Sequence, residues 1–191
     1  MIQVFRDFQE NILTQHPLFQ MSLFLKDIPR GHHKRTQYLS AAFIADLSTL
    51  FTAQTDSPSA IDKHLEMKSA SIYITHELLD NSIKFNNRQV DLPIEFKVCL
   101  VDRILVFAAS NSVDATVLAN FREFMERLEM SDLEELYFCQ LEQGAEENSH
   151  SSRLGFLSMM TDYGAKLGWK VETLEGDPEV AIVTTMVQLS I

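Results

Sequence analysis

Three side chains near the middle of the sequence have the types and spacing for phosphate chemistry. Glu77, Asn81 and Lys84 recur at helical intervals within the stretch 76–85, so a helix there puts all three on one face. Leu79 and Ile83 fall on a different, apolar face. A carboxylate, an amide and an ammonium in one row suit a magnesium-bound triphosphate. Magnesium takes hard oxygen donors, and an ammonium is a compact point charge for phosphate. In isolation the same string also describes an ordinary solvated helix face, so its meaning depends on the elements that hold it.

Those elements can be read from hydrophobic period. Residues 2–14 carry Val4, Phe5, Phe8 and Ile12 on one side and predict a short amphipathic helix. Residues 18–25 alternate Phe19, Met21, Leu23 and Leu25 with polar residues and predict a strand, after which Pro29 and Gly31 break the chain. Leu39, Ala42, Phe43, Leu47, Leu50 and Phe51 predict a helix over 33–51; a loop at 55–59 separates it from the motif helix, 62–86. The period then changes to two. Strands are expected at 94–100 and 104–109, turning at Asp102-Arg103. Two amphipathic helices fill 114–146, with Ser131 and Glu134 as a capping box for the second. A polar loop at 144–152, a helix at 155–167 and a hairpin of strands 169–174 and 181–189 complete the chain. This order predicts an α+β two-layer sandwich, a mostly antiparallel mixed sheet covered by helices on one face.

The bulk properties narrow the function classes. At 191 residues there is room for one well-packed domain, and no repeat or linker divides it. A net charge of −11 argues against nucleic acid as the main ligand, because a phosphate-backbone surface needs clustered Lys and Arg. No apolar run approaches the ~20 residues that span a bilayer, and the first residues lack a secretory pattern, so a cytoplasmic protein off the membrane is expected. Cys99 and Cys139 stand alone and are expected to be small buried hydrophobes. His32-His33 and His76 are expected on the surface. Glu134, Glu135, Glu142, Glu146 and Glu147 are expected to form a solvated helix face. The aromatic N-terminal part (Phe5, Phe8, Phe19, Phe24) reads as core first and as a dimer contact second.

The stretch 77–85, placed before a β-hairpin, resembles the asparagine box of the histidine-kinase-like ATP-binding superfamily, shared by gyrase, chaperones of the ninety-kilodalton class, sensor kinases and mismatch-repair ATPases. The pattern is Glu-x-x-x-Asn-x-x-Lys followed by an aromatic residue. The resemblance implies that Asn81 ligates magnesium, that Lys84 touches the phosphates, and that Glu77 is a metal ligand or the catalytic base. The superfamily's later glycine box corresponds to the run Arg153, Leu154, Gly155, Phe156, which would bind phosphate at a helix start. Only Gly155 remains of its glycines, and Arg153 either pairs with phosphate or blocks the pocket. The earlier box, which supplies an adenine-binding Asp, is replaced by Ser110-Asn111; Asn111 can offer an amide oxygen to adenine or cap a turn.

In that frame the chain is one domain, 1–191, with 1–60 as an N-terminal extension and 61–191 as the nucleotide-binding core. Its size resembles the anti-sigma-factor/serine-kinase branch. That branch implies a partner-switching regulator that binds ATP or ADP with Mg²⁺ and docks on a STAS-type antagonist or other small regulatory protein. If it is a serine kinase, Glu77 would take the proton of the partner's hydroxyl. The alternatives are a non-catalytic pseudo-kinase scaffold and a site adapted to another planar ligand such as flavin.

Overall fold

The computed structural model describes residues 1–51, 58–146, 152–174 and 176–191. Its strands are β1 (Ile2–Arg6), β2 (Phe19–Leu23), β3 (Ile94–Val101), β4 (Ile104–Asp114), β5 (Lys166–Leu174) and β6 (Asp177–Ser190). They form a six-stranded sheet in the order β1-β5-β6-β4-β3-β2, antiparallel at each pairing rather than mixed. The helices are α1 (Glu10–Leu13), α2 (His33–Thr49), α3 (Pro58–Phe85), α4 (Ala115–Met130), α5 (Leu133–Glu146) and α6 (Ser152–Thr161). The expected α+β sandwich is present. Among the described residues, no helix is long and apolar enough to cross a membrane.

Strand alternation sends Phe96, Val98, Leu105, Phe107, Trp169, Val183 and Val187 into the main core, where they meet Ile74, Leu78, Leu157 and Met159 of α3 and α6. The opposite face carries a smaller cluster, Phe8 and Ile12 against Cys99, Val106 and Met186, so α1 lies on the side away from the other helices.

Several expected elements differ. Residues 2–14 are a strand followed by one helical turn, because β1 pairs along β5 and supplies one edge of the sheet. The chain leaves β1 across Gly168, where a Cβ would stand 2.0 Å from the Phe8 nitrogen; only a glycine admits that crossing. The extension 1–60 thus provides both edge strands and the helix α2 that packs on α3. β4 continues past Ala109 to Asp114, since β6 offers backbone partners along its whole length and pairing outweighs the turn preference of Ser and Asn. The helix expected at 155–167 stops at Thr161. Gly164, at φ +62°, turns the chain into β5, and Leu167 is a buried strand residue.

Smaller differences follow the same logic. The cap of α5 is Asp132, whose Oδ1 accepts from the Glu134 and Glu135 nitrogens at 2.9 and 3.2 Å, while Ser131 ends α4. Cys99 is buried but Cys139 is exposed. His33 is buried, its Nε2 lying 3.0 Å from the Ile28 carbonyl oxygen. Most of the loop expected at 55–59 and of the polar segment at 144–152 lies outside the described residues, as does Glu147.

Candidate functional site

The C-terminal half of α3 lies over β4, and the asparagine motif sits there. Positions 78, 81, 82 and 85 share one face, so Leu78, Asn81, Ser82 and Phe85 enter one cavity, with Lys84 at its side. The far wall comes from α4, started by Asp114, whose carboxylate accepts from the Val117 nitrogen at 2.8 Å. From α4, Val117, Asn120 and Phe121 line the cavity; α6 adds Arg153 and Phe156, and the floor is Asn111, Val113, Val183 and Thr185 of β4 and β6. The cavity measures about 300 Å³.

Its chemistry is asymmetric. The chain carries eleven more acids than bases, yet no carboxylate is among the described residues lining this cavity, while Lys84 and Arg153 both are. Lys84 is exposed, its ammonium 5.1 Å from the Phe85 ring centre. Arg153 donates to the Asn120 carbonyl at 3.4 Å and lies over the Phe124 ring. Asn81 is buried and its amide nitrogen has no hydrogen-bond partner. A buried amide nitrogen without a partner is costly. Asn111 is also buried, its amide donating to the Ser112 carbonyl at 3.2 Å.

Glu77 does not line the cavity. Its side chain lies against the backbone of α6, where a Cβ on Gly155 would stand 2.2 Å from Glu77 Oε2. The absence of a side chain at Gly155 is what lets the Glu77 carboxylate lie there. Burial pushes the Glu77 carboxyl above its ordinary value; His76 and Lys84 pull it down and Asp80 pushes it up. One turn earlier, burial raises the Tyr73 phenol despite its hydrogen bond with Ser158, and Tyr73 stacks on Tyr163 at 5.2 Å.

Of the residues singled out in the sequence, Asn81, Lys84, Asn111, Arg153 and Phe156 come together around one space. Glu77 and Gly155 meet each other beside it, and Leu154 is half-buried outside it. Ser110 does not reach it: alternation turns Ser110 to the opposite face, where its hydroxyl is 2.8 Å from that of Thr184. Thr185, Ser82, Asn120 and Phe121 complete the lining without having been anticipated. Thr185 had a legible signal, a hydroxyl at an inward position between Val183 and Val187. Phe121 had none, because its place depends on how α4 packs.

No family model matches the chain, and no curated protein matches it. Among solved structures, a chain in the crystal structure of the SiaB–SiaC complex from Pseudomonas aeruginosa has the same fold. The TM-score is 0.59 at 13% identity, over 94% of this chain and 95% of that one.

Proposed function

We propose that this protein binds an adenine nucleotide with Mg²⁺ in the cavity between α3, α4 and α6, and uses occupancy to control docking on a protein partner. The observation that carries the reading is the cavity's composition: aromatic and aliphatic walls, two cations, no lining carboxylate among the described residues, and an unpaired buried amide at Asn81. A planar base with an anionic tail fits such a lining. The Asn81 amide oxygen would hold the metal, and its unpaired amide nitrogen would donate to a phosphate oxygen beside Lys84 and Arg153. Asn111 and Thr185 would meet the polar edge of the base, and Phe121 and Phe156 its flanks. Bound magnesium would supply charge neutralisation of the phosphates.

Two further lines support the reading: the match of 77–85 to the asparagine box, and a structural neighbour crystallised as a complex of two named proteins. A STAS-type domain with an acceptor serine is the partner class that the resemblance implies. One observation favours a second reading, a nucleotide-gated scaffold without phosphotransfer: Glu77, the expected base, is packed on Gly155 instead of facing the cavity.

Calorimetric titration with ATP and ADP, with and without Mg²⁺, tests the proposal. Saturable magnesium-dependent heat that Asn81→Ala removes is the expected result. No heat and no thermal stabilisation by either nucleotide overturns it, and a yellow protein as purified would point to flavin instead.

A further inference from the structure

Away from the cavity, α2 and α3 leave apolar stripes of identical spacing on their outward faces. On α2 and its C-cap the positions are Leu39, Phe43, Asp46 and Leu50; on α3 they are Ile61, Leu65, Lys68 and Ile72. Both advance by four, three and four residues, the alternation of seam positions in a coiled coil. Leu39 and Leu50 are 63% exposed, and Leu65 is 56% exposed. Single exposed leucines are unremarkable, but six large apolar side chains in two adjacent rows mark a covered surface.

The two helices run antiparallel, as the pairs Gln37–Asp80, Tyr38–His76 and Asp46–Lys68 demonstrate. The apolar pattern is interrupted once in each row, at the same third position. The residues there, Asp46 and Lys68, have opposite charge and pair at 2.7 Å. We infer that this face binds a second copy of the chain, joining two α2–α3 hairpins into a four-helix bundle.

Charge decides in favour of a second copy. A two-fold axis parallel to the helices sets each α2 against the other copy's α3 at equal height. Asp46 then faces the partner's Lys68 and Lys68 the partner's Asp46, while Phe43 meets the partner's Ile72 and Leu50 meets the partner's Leu65, with Leu39 and Ile61 at the two ends of the seam. A two-fold axis across the helices would oppose Asp46 with its own copy. The charged pair within an apolar seam thus fixes both orientation and register.

Sedimentation of the full chain tests this. The wild type is expected at twice 21.8 kDa, and Leu65→Glu at 21.8 kDa. Leu50→Glu, on the other helix and level with Leu65, should give the same loss, and both side chains are exposed, so circular dichroism should report an unchanged fold. Lys68→Asp alone should weaken the dimer at least tenfold, and adding Asp46→Lys should restore it. A monomeric wild type, a dimer indifferent to both Leu→Glu variants, or a double charge reversal that stays monomeric each overturns the inference.

Discussion

Ser110 and Asn111 are consecutive in β4 and face opposite sides of the sheet. Asn111 enters the cavity beneath α3, where polar groups include an unpartnered amide and both charged side chains are cations. Ser110 enters the open side, where polar groups answer one another: its hydroxyl meets Thr184, and Lys170 bonds Glu10 and Glu172, each at 2.8 Å. Burial pulls the Lys170 ammonium down, but its two carboxylates outweigh that and leave it above its ordinary value. One side has spent its polar groups on the fold; the other holds some in reserve. That difference, more than the presence of any motif, distinguishes a candidate binding site from a polar surface.

Substitutions on the two sides should therefore separate cleanly. The largest effect is expected at Asn81→Ala, which should weaken magnesium–nucleotide binding by roughly 100-fold, as loss of a metal-site group does. Ser110→Ala should leave the titration unchanged; an equal loss at Ser110 would erase the contrast. Next, Lys84→Ala and Arg153→Ala should each weaken binding roughly tenfold, the scale of one charge-assisted hydrogen bond. Lys170→Ala should leave binding intact while lowering stability by about 1 kcal/mol in denaturant unfolding.

A subtler contrast concerns Gly155. A methyl group there displaces the Glu77 carboxylate, so Gly155→Ala alone should fall short of the about 1 kcal/mol that alanine gains over glycine within a helix, and should show it in full when Glu77→Ala is added. Additive effects would show that the contact does not couple them. The smallest effect is pH-dependent. Because burial raises the Glu77 carboxyl, folding favours its protonated form. The associated stability is complete below the ordinary carboxyl value and is lost as pH rises through the raised one. Glu77→Gln should then melt higher than wild type at pH 7, with the gap closing on acidification.

The sequence made some parts legible because their signal is local. The period of α2 and α3, the alternation of β3 and the hairpin of β5 and β6 each follow from side chains a few residues apart. The row Asn81–Lys84 was legible for the same reason. Other features had no local signal. Val4 and Phe5 suit a helix or a strand equally, and only the free edge of β5 decides for β1. Ser110 and Asn111 look like a turn until β6 pairs beside them.

By itself, then, the sequence determined which segments could bury an apolar face and that an amide and an ammonium would share one turn of helix. Tertiary structure alone decided which polar residues would be satisfied. It turned Ser110 away, set Glu77 against Gly155, and brought Thr185 and Arg153 from distant strands and helices to the space beside Asn81. Helical period and strand alternation fix the direction of a side chain. What that side chain meets depends on elements far away in the chain, and a polar group's chemistry depends on whether anything answers it.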